Sequence, residues 1–187
     1  MTVKILDNTV ISVSINELHS INLIRLCSAR YDITTTHHVF TEAKKGSSKA
    51  VIKEISNYMS VSNSQNQRFD EILSWLERRF PYLHKGELST FLMAVLDYSQ
   101  TNKKYYYVTD DRRMRKTIPK ILHNRVFIDM CGQNVNTFNS TGTIGLIKKL
   151  YEKGSLTDDQ IEEIITDLRN STFYVTPSLL NSLRRNQ

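Results

Sequence analysis

The chain has 187 residues, 40% of them apolar and 24% charged, and a formal net charge of +6. That length builds one domain with a sizeable core and is short for two. No apolar run approaches the roughly 20 residues needed to span a bilayer, and the positive charge points weakly to a polyanionic partner.

In chain order, Val3 to Leu6 reads as a short buried strand; because the chain opens directly on it, no signal peptide is expected. Ile15, Leu18, Ile21, Leu23, Ile24 and Leu26 recur at helical spacing and predict one amphipathic helix reaching Ala29. Residues 31–35 are β-branched and predict a second strand. A helix over 38–45 carries Glu42, Gly46 interrupts it, and Val51, Ile52, Ile55 and Tyr58 resume the period. The polar stretch 60–67 reads as a loop. Phe69, Ile72, Leu73, Leu76 and Phe80 form a helical face ended by Pro81. Glu87 opens the next helix, 105–109 is a third strand, a short basic helix closes at Pro119, and 125–128 reads as a fourth strand. After a polar linker (132–140), a helix runs to Gly154. Thr157 and Gln160 make a capping box for the next helix, 173–175 is extended, and Pro177 starts the last helix. This alternation predicts an α/β fold with a mostly parallel sheet of four to five strands flanked by helices.

Four acids stand just past short apolar runs or at helix starts: Asp7, Glu42, Glu87 and Asp111. Open parallel sheets place their ligands at such strand ends. Carboxylates sharing one crevice need protons or cations to neutralise them, and hard divalent ions such as Mg²⁺ or Mn²⁺ suit oxygen ligands. Taken singly, each acid has a plainer use: Asp7 and Asp111 as turn or helix caps, Glu42 and Glu87 as partners of a helix dipole. Asp110 competes with Asp111 for the functional role. The basic group Arg112, Arg113, Arg115 and Lys116 abuts Asp111, where cations suit phosphate contacts. His37 and His38 form no zinc-protease pattern, and Gly142 to Gly145 lacks the lysine of a phosphate-binding loop. The tyrosine run 105–107 and Trp75 read as core. Cys27 and Cys131 lack metal spacing; a buried thiol at Cys27 suits a reducing cytoplasm.

With these residues in place, the chain resembles the PIN-domain nucleases, and among them the VapC-like bacterial and archaeal proteins. Leu6-Asp7-Asn8-Thr9-Val10-Ile11 looks like the family's opening Asp motif, and Val39-Phe40-Thr41-Glu42 is similar to its Val-x-x-Glu. His84-Lys85-Gly86-Glu87 with Ala94 resembles the helix start of one branch. Val108-Thr109-Asp110-Asp111 with Arg115 looks like the Thr-x-Asp strand end, and Gly142-Thr143-Ile144-Gly145-Leu146 resembles that branch's C-terminal region. The departures are Asp7-Asn8-Thr9 for the usual Asp-Thr-Asn, Glu87 where many relatives carry Asp, and extra helix over 51–80. The resemblance implies a single PIN-like domain over 1–187, with 141–187 as a helical extension packed on it. It also implies metal-dependent hydrolysis of RNA phosphodiesters by an endoribonuclease. Asp7, Glu42, Glu87 and Asp111 would hold Mg²⁺ or Mn²⁺, with Asp110 secondary and Thr9 and Thr109 supporting. An antitoxin partner and a homodimer come with the same resemblance. Two other readings stand beside it: a silent PIN-like module binding nucleic acid or protein, and a structure-specific DNA nuclease.

Overall fold

A computed structural model describes residues 1–63, 66–132, 135 and 137–184. At its centre lies β1 (Val3–Leu6), all four residues buried, as a strand covered on both faces requires. Around it the sheet runs in the order β3-β2-β1-β4-β5, with β2 (Asp32–Thr36), β3 (Ser60–Ser62), β4 (Tyr105–Val108) and β5 (Ser140–Thr141). Every neighbouring pair is parallel, and the register sets Val3 opposite both Asp32 and Tyr105. The predicted α/β class and parallel sheet are therefore what the chain forms.

Side-chain alternation along the strands divides the core. Val3, Ile5, Tyr105 and Tyr107 face one apolar layer, which α5 (Gln67–Arg79), α6 (Lys85–Met93), α7 (Arg112–Leu122) and α8 (Arg125–Cys131) complete. Leu6, Ile33 and Val108 face the other, against α1 (Asn8–Asn16), α2 (Leu23–Ser28), α3 (His37–Lys45), α4 (Lys49–Ile55), α9 (Thr143–Glu152) and α10 (Asp158–Asn170). Each fully buried Leu, Ile or Phe contributes roughly 1.5–3 kcal/mol. Lys4 is the exception on β1. It is 3% exposed, with Nζ 3.9 Å from the Tyr106 ring centroid and 4.6 Å from that of Tyr31. Trp75 packs on Phe80 and Phe127, and Tyr105 and Tyr107 are buried, so these aromatics are core as expected. Cys27 and Cys131 are buried free thiols.

Several elements depart from the sequence expectation. The single helix through Ala29 is two: α1 starts at Asn8, directly after its cap Asp7, and Asn22 caps α2 by accepting from Arg25 N at 3.0 Å. The stretch read as a loop contains β3, a short polar edge strand made by pairing with Thr34–Thr36 rather than by its own burial. Residues 64 and 65 of that stretch lie outside the described residues, as do 133, 134 and 136 of the linker.

Pro119 does not close α7, which continues to Leu122. An interior proline costs about 3 kcal/mol, and burial of Ile118 and Ile121 on the helix's inner face offsets it. The expected fourth strand, 125–128, is helix α8. Asn124 accepts from Phe127 N at 3.2 Å at its start, and Gly132 ends it at φ 69°. After Glu87 the helix runs on as a π-helical segment, Ala94–Ser99. The Thr157 capping box and Pro177 at the start of α11 (Pro177–Asn181) are as predicted. Among the described residues no helix is long and apolar enough to cross a membrane.

Candidate active site

The sheet order puts β1 between β2 and β4, so the chain turns to opposite sides after β1 and β4; a crevice forms at such a switch point. Asp7 leaves β1 and Thr109-Asp110-Asp111 leaves β4. Asp7 is 0% exposed. Its Oδ1 accepts from Asn8 N at 2.7 Å, and its Oδ2 accepts from Thr109 Oγ1 at 2.8 Å and Thr9 Oγ1 at 3.2 Å. Both hydroxyls accept in turn: Thr9 from Asp110 N at 3.1 Å, and Thr109 from Asp111 N at 3.2 Å. Thr9 and Thr109 thus bind the two strand ends to each other through Asp7.

Two helices bring the other acids. Glu87 lies in the first turn of α6, where its Oε2 accepts from His84 N at 3.1 Å. Glu42, on α3, rests against the backbone of Gly86: a Cβ there would lie 2.7 Å from Glu42 Oε2. A side chain at 86 would push this carboxylate aside, so the Gly86-Glu87 pair seats two acids at once. Asp111 caps α7 by accepting from Met114 N at 2.6 Å. The capping uses of Asp7 and Asp111 are therefore real, and neither uses up the carboxylate.

Electrostatics ties the four together. Burial, opposed by the Thr109, Asn8 and Thr9 hydrogen bonds and reinforced by Glu42, raises the Asp7 pKa to about 6. Burial, then Asp7, and further Asp111 and Glu42, raise Glu87 to about 8. The buried Tyr107 phenol, pushed well up by burial and by Asp7, Glu87 and Asp111, donates to the Glu87 carbonyl at 3.3 Å. Among the described residues none of the four acids has an ion-pair partner. The nearby Asn8 Oδ1 is buried without a hydrogen-bond donor.

These are hard oxygen donors without an ion-pair partner among the described residues, the kind of set that suits Mg²⁺ or Mn²⁺. As placed, the side chains stand apart, and among the described residues no three His, Cys, Asp or Glu groups converge closely enough to share an ion.

Asp110 is turned elsewhere. Its Oδ1 accepts from Thr143 N at 2.9 Å and its Oδ2 from the Thr143 hydroxyl, holding the start of α9. Burial raises its pKa, and Arg115 opposes that rise. Arg112, Arg113, Arg115 and Lys116 are exposed on α7. Arg112 and Arg113 line a groove of about 570 Å³ with Asp110 and Asp111. The sequence reading missed three features of this region: the donorless Asn8 oxygen, the close seat of Glu42 on Gly86, and Tyr174 on the groove wall. Only the last had a signal, the alternation in Phe173-Tyr174-Val175. Compared with family models, curated proteins and solved structures, the chain gives no match.

Proposed function

We propose that the protein is a metal-dependent endoribonuclease that hydrolyses RNA phosphodiester bonds, in keeping with its resemblance to VapC-like PIN nucleases. One observation carries this reading: around the sheet's switch point Glu42 raises the proton affinity of Asp7, and Asp7, Asp111 and Glu42 raise that of Glu87, while among the described residues none of the four has an ion-pair partner. Asp7 and Glu87, whose charged forms are most disfavoured, gain most from a divalent ion. Bound there, Mg²⁺ or Mn²⁺ supplies Lewis acidity at phosphoryl oxygens and acidifies water. The chain's own contributions are distinct. Thr9 and Thr109 fix Asp7, Gly86 leaves room for Glu42, and Arg112 and Arg113 give the substrate's phosphates a cationic wall.

Cleavage of labelled single-stranded and structured RNAs with Mn²⁺ or Mg²⁺ tests the proposal. Wild type should cut, and both EDTA and Asp7→Asn should stop it. Cutting by Asp7→Asn at the wild-type rate refutes the assignment, and cutting of DNA alone moves the substrate. The spread of the four carboxylates favours one second reading, a silent module that binds nucleic acid; calorimetric titration with Mn²⁺ separates the two, since the silent module takes up no metal. An antitoxin that covers the acidic crevice, a homodimer and a cytoplasmic location belong to the first reading, and the buried thiols agree with the last.

A further inference from the structure

Beside the acidic crevice, residues 172–175 are held in a fixed pose. Glu17 grips the segment with both oxygens, Oε2 accepting from Thr172 N at 3.2 Å and Oε1 from the Thr172 hydroxyl at 2.7 Å. Phe173 and Val175 pack against the apolar core. Between them Tyr174 points outward, 77% exposed, the most exposed large apolar side chain among the described residues. Packing on either side and the Glu17 clamp thus fix a backbone that presents one aromatic ring to solvent.

Arginines stand beside that ring, together with Glu17, Asp110 and Asp111. Tyr174 and Arg112 are shared walls of two grooves. One, of about 570 Å³, continues to Arg113, Asn8 and Asp111; the other, of about 500 Å³, continues to Arg115 and Gly142. An exposed aromatic on a fixed backbone, flanked by arginines, is the combination that binds single-stranded polynucleotides: the ring takes a base face and the cations take the phosphates. A blunt duplex keeps its base faces stacked and offers the ring only the outer faces of its two terminal pairs.

We propose that Tyr174 is a stacking platform for an unpaired nucleobase, placing the adjoining phosphates along Arg112 and Arg113 toward Asp111. This deepens the nuclease reading and rests on it for the direction of the strand, while the binding itself needs no metal.

The test measures fluorescence anisotropy of a labelled single-stranded RNA of mixed sequence, and of its blunt duplex, with the full chain in EDTA. Wild type should prefer the single strand. Tyr174→Ala should weaken single-strand binding by roughly 5- to 100-fold, the range for loss of one base stack. Tyr174→Phe should bind within about twofold of wild type, since it keeps the aromatic face. Arg112→Gln should weaken both probes and flatten the salt dependence. Equal single-strand binding by Tyr174→Ala and wild type overturns the proposal, as does a wild type that prefers the duplex or binds neither probe. Because the ring is exposed, the melting temperature of Tyr174→Ala should match wild type, which guards against misfolding.

Failure of the nuclease reading shows separately. A protein that binds single strands through Tyr174 but cuts nothing with Mn²⁺ keeps the platform and loses the chemistry. One that cuts RNA with Tyr174→Ala binding unchanged loses the platform alone.

Discussion

The Thr109 hydroxyl donates to Asp7 Oδ2 at 2.8 Å, joining the ends of β1 and β4 across 102 positions of sequence. The Thr109 hydroxyl oxygen accepts in turn from Asp111 N. Thr109→Val, nearly the same shape, removes both bonds. Asp7 loses a contact that lowers its pKa, and the Asp111 amide loses its acceptor. A loss of about 2 kcal/mol is expected, the scale of a hydrogen bond to a charged group, together with weaker Mn²⁺ uptake. Urea unfolding and calorimetry check both, and unchanged values would mean that this bond does not organise the crevice.

Glu42 lies against the Gly86 backbone. Gly86→Ala adds a methyl where Glu42 Oε2 stands, and the flexible carboxylate yields before the helices do. We expect RNA cleavage to fall by about tenfold or more, the sensitivity of a positioned catalytic group, with stability within about 1 kcal/mol of wild type because alanine favours helix over glycine. A large stability loss with normal cleavage would show that the contact is packing alone.

Asp7 and Glu87 are held at about 6 and about 8, above the roughly 4 of an unfolded carboxylate. Between about pH 4 and about pH 8 the folded chain therefore binds more protons than the unfolded one, and stability in EDTA falls as pH rises through that window. Glu87→Gln removes one of the repelling charges. It should stabilise the protein in EDTA at pH 8 by on the order of 2 kcal/mol and leave acidic pH almost unchanged. Excess Mn²⁺ should restore the wild type near neutral pH and do less for the variant. Melting temperatures that do not vary with pH in EDTA would rule out the coupled cluster.

Asp110 and Asp111 are neighbours with separable tasks. Asp110→Ala loses both bonds to Thr143 and should cost about 1–3 kcal/mol while leaving stabilisation by Mn²⁺ in place. Asp111→Asn keeps a good helix cap, so it should cost little stability yet reduce the Mn²⁺ effect. The opposite pattern would assign the metal to Asp110.

Burial lowers the Lys4 pKa to about 8, against 10.5 in water, while the Tyr31 and Tyr106 rings favour the cation. The folded chain binds fewer protons between those values, so this residue adds stability as pH rises through them. Lys4→Met should be more stable by about 1–2 kcal/mol at neutral pH, with the gap closing toward alkaline pH. Destabilisation by methionine at neutral pH would show that the rings outweigh desolvation.

Local pattern was enough to read most of the framework. The apolar runs of β1 and β4, the helical face of α5 and the Thr157 cap lie in neighbouring residues whose pattern reports what is buried; α6 is buried all round from Gly86 to Met93, so the one core face expected of it is not what it has. The positions of Asp7, Glu87 and Asp111 were legible too, because strand ends and helix starts are marked in sequence, whereas Glu42 lies in the middle of α3 and not at its start. The misreadings lie where a distant partner decides. Ser60–Ser62 is a strand because β2 offers it an edge, and the β-branched start of α8 is helical because Asn124 caps it and Phe127 and Cys131 pack in the layer that α5 shares.

The sequence by itself determined the α/β alternation and the identity of the charged groups. Tertiary structure decided that Asp110 turns to Thr143, that Glu42 sits on Gly86, and that Tyr174 stands outward between two packed neighbours. Residues far apart in the chain set those contacts. Local periodicity records the environment of a face but carries no information on which distant atoms meet it.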